Sequence, residues 1–240
     1  MKVGLMRYTV LLLALLVAVT TASCGTPAAA PAVTCGVLVD GSGSTAELNR
    51  RLPRIVGDFV AGNACTTARV VVISANSPGE TCKQAAPLAL TEGMRTDPSN
   101  VESRRAEFER DRVPLVVGQA RQLLACVARA GTGDGTDVVG AFGELARTLP
   151  SDAPDVRVLV VSDMVDTVRV DVVGLIRDGR TGAVVSELRS ALPPMSGWTV
   201  TAAGAGFGTT ALSPVETTAL QAVWADAVGG RGARYVQPGA

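Results

Sequence analysis

The chain contains no histidine among its 240 residues, and this absence removes two classes of enzyme. A Ser-His-Asp hydrolase needs an imidazole as its general base, and a His-ligated zinc enzyme needs imidazole as a ligand. A Mg²⁺-dependent hydrolytic or phosphoryl-transfer role stays open, although the sequence offers no evident base or nucleophile for it.

The chain also has a formal net charge of zero and very little lysine. The chain has 22 basic and 22 acidic residues, and lysine occurs only at positions 2 and 83. Proteins that bind nucleic acid carry clustered positive charge. We therefore expect no nucleic-acid partner.

The N-terminal residues have the pattern of an export signal. Lys2 and Arg7 precede an apolar run over residues 10–19, which is shorter than the ~20 residues of a membrane-spanning helix. Residues 21–24 (TASC) resemble the cleavage site of bacterial lipoproteins, in which Cys24 would be the acylated first residue of the mature chain. The Thr at the first of these positions departs from the aliphatic residue usual there, so ordinary cleavage and full secretion stay open.

We therefore expect three regions: a signal peptide over residues 1–23, a Pro/Ala-rich tether over 24–32 and a single domain over 33–240. The mature chain of about 217 residues fits one α/β domain. Without Lys2 and Arg7 it retains 20 basic and 22 acidic residues, a formal net charge of −2. The expected location is the bacterial cell envelope, outside the cytoplasm, with a lipid anchor in the cell membrane.

Four further cysteines, at positions 35, 65, 82 and 126, fit an exported protein. An even number of cysteines in an oxidising compartment indicates disulfide bonds. The residues alone leave three pairings open, and four buried free thiols are the alternative.

Short apolar runs alternate with stretches of helical spacing along the chain. Runs at 35–39, 70–73 and 158–161 are typical of strands buried on both faces. The patterns S-T-A-E at 44–47 and S-P-V-E at 213–216 predict helix starts, because each combines a capping residue with a Glu three positions later. The alternation predicts an α/β fold with a doubly wound, mostly parallel sheet flanked by helices, as in Rossmann-like proteins.

Two prolines should disturb the predicted helices. Pro53 lies inside the first helical stretch, which it should kink or delay, and Pro114 should interrupt the helical region 101–130. The reason in both cases is that proline has no backbone N–H to donate.

Oxygen-bearing side chains follow two of the predicted strands. The sequence D-G-S-G-S occupies residues 40–44, G-T-D occupies 135–137, and Asp163 ends the third apolar run. Ligands bind at the carboxyl ends of strands in α/β sheets, and carboxylates and hydroxyls favour Mg²⁺ or Mn²⁺ over Zn²⁺. The pattern therefore predicts a divalent-cation site with room for water and an outside ligand. Its candidate ligands are Asp40, Ser42, Ser44, Thr136 and Asp163.

These residues resemble the metal-ion-dependent adhesion site of von Willebrand factor type A domains. The family pattern is D-x-S-x-S after the first strand, a Thr in a Gly-Thr-Asp-like loop and an Asp ending a later strand. All three parts occur here in family order, and the resemblance covers about residues 33–240.

The resemblance implies the fold of that family and a bound Mg²⁺ or Mn²⁺, with Ca²⁺ less favoured. Ser42, Ser44 and Thr136 would bind the cation through their hydroxyls, and Asp40 and Asp163 would bind it directly or through water. A Glu or Asp from a partner protein would complete the coordination shell.

The family topology also implies the disulfide pairs Cys35–Cys65 and Cys82–Cys126. Asp137 and Asp166 lie beside candidate ligands in the sequence. They could orient water or the Ser hydroxyls from behind the cation, or they could be solvated loop acids.

We therefore expect a membrane-anchored binding module rather than an enzyme. The alternatives are a Mg²⁺-dependent hydrolase or phosphoryl-transfer enzyme, and a structural lipoprotein whose cation only stabilises loops.

Overall fold

A computed structural model of the chain describes residues 32–79, 81–94, 100–131, 135–208 and 212–237. The expected signal peptide, Cys24 and the tether up to residue 31 lie outside the described residues.

Six strands form one sheet within the described residues, in the order β3-β2-β1-β4-β5-β6. All neighbours are parallel except β3, which runs antiparallel to β2 at one edge. The strands are β1 Val33–Asp40, β2 Thr67–Ile73, β3 Leu88–Ala89, β4 Asp155–Val161, β5 Trp198–Ala203 and β6 Arg234–Val236. The prediction of a doubly wound, mostly parallel sheet is therefore confirmed.

Seven α-helices connect these strands in the part of the chain that the structure describes. They are α1 Ala46–Gly62, α2 Val101–Glu107, α3 Val113–Ala130, α4 Val138–Thr148, α5 Val172–Arg177, α6 Thr181–Ala191 and α7 Pro214–Gly229.

The sheet separates two hydrophobic cores. Side chains alternate between the two faces along a strand, so Val37 and Val39 of β1 pack with α1 and α3, whereas Leu38 packs with α4 to α7. All three side chains are fully buried. Burial of a Val or Leu side chain stabilises a fold by about 1.5–3 kcal/mol, so this alternation fixes the register of the central strand.

The helix predicted to start within residues 44–47 does begin there, but without the predicted capping box. Residues Gly43–Thr45 form a short 3₁₀ turn, and α1 begins at Ala46 without a side-chain cap. The Ser44 hydroxyl is directed instead at the carboxylate of Asp163, to which it donates at 2.7 Å. A hydrogen bond to a carboxylate is stronger than one to a neutral amide.

Of the two alternatives for Pro53, the delayed helix start is wrong, and the kink stays a prediction. The α1 helix continues through Pro53 to Gly62, and the proline does not delay its start. The neighbouring side chains Leu52 and Val56 are fully buried, and their packing offsets the one backbone hydrogen bond that proline removes.

The other two helix predictions agree with the structure. Ser213 and Glu216 form the expected capping box at the start of α7. The helical region ahead of Pro114 is interrupted by a π-helical turn at Phe108–Arg112. Such a turn shifts the hydrogen-bond pattern where proline lacks a donor.

Two disulfides join Cys35 to Cys65 and Cys82 to Cys126, each with a Cα–Cα distance of 5.7 Å. These are the pairs that the resemblance implied. Disulfides persist in oxidising compartments, so the domain belongs outside the cytoplasm. No helix within the described residues is long and apolar enough to cross a bilayer.

Candidate metal centre

The candidate metal centre lies at the carboxyl-terminal edge of the two central strands, β1 and β4. Asp40, the last residue of β1, is in register with Ile73 of β2. The preceding Val39 is in register with Val161, the last residue of β4. Asp163 follows β4 by two residues. The parallel register therefore brings both candidate carboxylates to one edge of the sheet.

Asp40 is fully buried. One carboxylate oxygen accepts the backbone N–H of Ser42 at 2.8 Å, and the other accepts the hydroxyl of Ser162 at 2.6 Å. Loss of hydration raises the pKa of Asp40 to about 6, although the hydrogen bonds from Ser162 and Ser42 act in the opposite direction. Without a cation, burial of the ionised Asp40 carboxylate therefore costs free energy.

A chain of hydrogen bonds joins the two serines of the motif to Asp163. The hydroxyl oxygens of Ser42 and Ser44 lie 3.0 Å apart, and Ser44 donates to Asp163. Asp163 is 2% exposed, and its pKa is raised by burial against the lowering effect of the bonds from Val165 and Ser44. The two serines themselves reach solvent. The arrangement is buried at its carboxylates and open at its hydroxyls.

Two residues that the sequence analysis did not single out hold the 40–44 turn in place. The hydroxyl of Thr45 lies 3.0 Å from the carbonyl oxygen of Asp40 and 2.9 Å from that of Ser42. The amide of Asn49 donates to the same Asp40 carbonyl at 2.9 Å. Their signal in the sequence is weak, because polar side chains at the start of a helix usually serve as caps.

The loop carrying Thr136 is fastened to the same edge of the sheet. The backbone N–H of Asp137 donates to the carbonyl of Ser74, just beyond β2, at 2.9 Å. Thr136 and Thr167 exchange two further bonds, at 2.9 and 3.0 Å. Thr136 is only 7% exposed, and its hydroxyl forms no hydrogen bond with any residue that the structure describes. The described hydrogen bonds that fasten this loop therefore use the backbone of Thr136 and not its hydroxyl.

Asp137 and Asp166 bond mainly to backbone amides. Asp137 caps α4 through the N–H of Gly140 at 2.6 Å and accepts the Arg169 guanidinium at 2.9 Å. Asp166 accepts the N–H of Val139 and three amides of the loop that follows it. These bonds tie the Thr136 loop to the loop after β4. The expected role of orienting water or the Ser hydroxyls stays a prediction.

Met164, next to Asp163, has a left-handed backbone with φ 63°, which is uncommon for a residue other than glycine. Its N–H donates to the Ser162 hydroxyl at 2.9 Å, and its carbonyl accepts the indole N–H of Trp224 at 2.8 Å. These two bonds hold the backbone in an unfavourable conformation, as is common at functional sites.

The donor set fits a hard divalent cation. It consists of carboxylate and hydroxyl oxygens, the ligands of Mg²⁺, and includes no sulfur or imidazole nitrogen. Within the described ranges, no three His, Cys, Asp or Glu side chains converge as a metal-binding group. A cation here would therefore depend on the hydroxyls of Ser42, Ser44 and Thr136.

A scan against protein-family models finds no match to this chain, and a search of curated proteins finds no similar sequence. The resemblance to von Willebrand factor type A domains therefore depends on the motif residues quoted above.

Proposed function

We propose that this chain is a von Willebrand factor A-type binding module that uses a bound Mg²⁺ or Mn²⁺ to capture an acidic residue of a partner protein. The observation that supports this proposal most directly is the bonded chain from Ser42 through Ser44 to Asp163, which ends at the surface. A cation bound to these oxygens would be accessible to a protein partner.

In this proposal the three hydroxyls of Ser42, Ser44 and Thr136 bind the cation directly, and Asp40 and Asp163 bind it directly or through water. The cation would act as a Lewis acid that accepts one more carboxylate from outside. A site with few anionic ligands gains most from an additional one, so binding of the partner and of the cation should reinforce each other.

The burial of the two carboxylates gives a second argument. Asp40 and Asp163 both have pKa values raised by loss of hydration. A divalent cation would offset this cost, because it supplies the opposite charge that the surrounding protein lacks. The fold would then be more stable with the cation than without it.

A binding role suits the open position of the serines better than catalysis does. Ser44 is exposed and Ser42 is half-buried at the rim of the sheet. A hydrolase or phosphoryl-transfer enzyme would be expected to enclose its substrate in a polar pocket that excludes water. We therefore favour a binding module over an enzyme.

We also propose that the mature chain is anchored to the membrane by a lipid on Cys24. The two disulfides support export to an oxidising compartment. Mass spectrometry of the mature N-terminus should find a diacylglyceryl-modified Cys24, and a Cys24→Ala variant should appear in the medium or the soluble envelope fraction. An unmodified N-terminus downstream of residue 24 would contradict the anchor.

Calorimetry with Mg²⁺, Mn²⁺ and Ca²⁺ tests the metal site. The informative variant is Thr136→Val, because the Thr136 hydroxyl makes no bond among the described residues and its removal should leave the fold intact. We expect the variant to bind Mg²⁺ at least about tenfold more weakly, since even supporting residues of metal sites have effects of that size. Thr201→Val, a half-buried Thr to Val change in β5, is the matched control.

Equal Mg²⁺ affinity in the wild type and the Thr136→Val variant would refute the proposed site. The structural alternative predicts a different pair of results. The cation would raise the stability of the fold, but the protein would still capture its partner in the presence of chelator.

A further inference from the structure

A groove of about 460 Å³ opens beside the candidate metal centre, between α1 and the carboxyl end of β5. Its lining includes Leu48, Arg51, Arg54 and Ile55 of α1 and Phe207 of the loop after β5. Two arginines and no acidic residue line it. The groove thus combines an apolar floor with a positively charged rim.

The loop after β5, which forms one wall of the groove, contacts the candidate metal ligands Ser44 and Asp163 through its backbone. The N–H of Gly206 donates to the carbonyl of Asp163 at 2.8 Å. A Cβ on Gly208, which has φ +81°, would lie 2.8 Å from the carbonyl oxygen of Ser44. This close approach requires glycine. The loop that forms the groove wall therefore packs directly against Ser44 and Asp163.

On this side the described residues cover strand β5 only in part. In β5, Val200 and Ala202 point to the face covered by α7 and are buried, at 0% and 3% exposure. Thr199, Thr201 and Ala203 alternate with them and are only half-buried. Among the described residues, the face of β5 that turns toward α1 thus keeps surface for contact.

The arginines of the rim form ion pairs with exposed or half-exposed acidic residues. A guanidinium nitrogen of Arg51 lies 3.1 Å from a carboxylate oxygen of Glu47, and one of Arg54 lies 3.9 Å from a carboxylate oxygen of Asp58. The Arg54 side chain is 90% exposed, and exposed pairs of this kind contribute little. The Arg51 guanidinium also lies 5.4 Å from the ring centroid of Phe207, which is 39% exposed. Acidic groups of a partner would meet available positive charge here.

The length of α1 sets the spacing that a bound segment would need. A helix rises 1.5 Å per residue, so Arg51 lies about 10 Å and Ile55 about 16 Å along the helix from Ser44. An extended chain advances about 3.3 Å per residue. Three to five extended residues therefore span from the metal motif into the groove.

We infer that the partner presents an extended acidic segment to this surface. One carboxylate meets the cation at Ser42 and Ser44, a nonpolar side chain three to five residues away enters the groove beside Ile55, and a further carboxylate meets Arg54. This inference rests on the proposed function and adds the chemistry of the partner to it.

Random peptides displayed on phage, selected against the purified full chain in Mg²⁺, test the inference. The expected sequences contain an Asp or Glu, a nonpolar residue three to five positions away and additional acids. Selected peptides are then synthesised, and their affinities are measured by calorimetry for the wild type and two variants.

The two variants are Arg54→Glu in the groove rim and Arg50→Glu as the matched control. Both arginines lie on α1, are 90% and 73% exposed, and give the same change in net charge; Arg50 is not part of the groove lining. Reversal at Arg54 replaces an attraction by a repulsion, so we expect about tenfold weaker binding, against less than about twofold at Arg50. Phe207→Ala should also weaken binding, because it removes part of the apolar wall.

The outcomes separate this inference from the proposed function. Peptides that need Mg²⁺ but bind both Arg variants equally would overturn the groove inference and leave metal-dependent capture standing. Peptides that bind equally well in chelator would overturn the proposed function. A selection that returns no acidic, Mg²⁺-dependent sequences counts against both.

Discussion

Replacement of Asp40 by Asn in the metal-free protein should change the free energy of unfolding in a pH-dependent way. Asp40 is fully buried, and its two oxygens accept bonds from Ser42 and Ser162. Asn keeps the shape of the side chain and an acceptor for the Ser42 amide. Its NH₂ can donate to the Ser162 hydroxyl oxygen, so the main loss is the ionisable group.

The sign of this pH dependence follows from the raised pKa of Asp40. In the folded protein the pKa of Asp40 is about 6, against 3.8 for the unfolded reference, so the folded state binds this proton more tightly. The stabilisation from Asp40 is therefore complete below about pH 4 and is lost as the pH rises through 6. The shift of about two pK units corresponds to about 3 kcal/mol, of which about 2 kcal/mol is lost between about pH 4.5 and 7.5.

Urea unfolding of the wild type and Asp40→Asn at several pH values measures this change. Relative to the wild type, the variant should become more stable by about 2 kcal/mol between about pH 4.5 and 7.5. Asp163 is present in both proteins, so its own titration largely cancels. Asp152→Asn, at an exposed turn position, is the control for the change of residue type.

A flat difference for Asp40→Asn, within about 0.5 kcal/mol across this range, would refute the reasoning. It would mean that the carboxylate is better hydrated than the structure shows, and the electrostatic argument for a cation would lose its basis.

Three further predictions concern the fold. Ser213→Ala removes the capping bond at the start of α7 and should lower the free energy of unfolding by about 1 kcal/mol, measured in urea. Trp224→Phe leaves the buried Met164 carbonyl without its donor, and in the same assay it should cost about 1–3 kcal/mol, whereas no change would show that the bond is not formed. Joint replacement of Cys35 and Cys65, which close a loop of sequence separation 30, should cost about 3–4 kcal/mol; thermal unfolding unchanged from the wild type would contradict that disulfide.

Periodicity alone was enough to predict the architecture, because burial on two faces leaves a continuous apolar run in the sequence. The run at 35–39 became the central strand β1, and the run at 158–161 became its neighbour β4. The capping signal at Ser213 correctly located α7, since its bonds are all local. Local patterns therefore predicted those elements whose stabilising interactions join residues close in the sequence.

The capping pattern at 44–47 failed because the strongest partner of Ser44 lies 119 residues away, at Asp163. The bond between Ser162 and Asp40 spans 122 residues and leaves no trace in either local pattern. Sequence reasoning therefore identified the acidic and hydroxyl residues of the candidate site but not the groups that hold them.

The sequence by itself predicted the alternation of strands and helices, an export pattern and a set of candidate oxygen ligands, because these depend on residue type and short-range spacing. Only the tertiary structure decided how buried Asp40 is, that the Thr136 hydroxyl has no partner among the described residues, and that Arg54 and Phe207 border one groove. The physical reason is that hydration, pKa and surface shape depend on which elements pack against each other, and packing joins residues far apart in the chain.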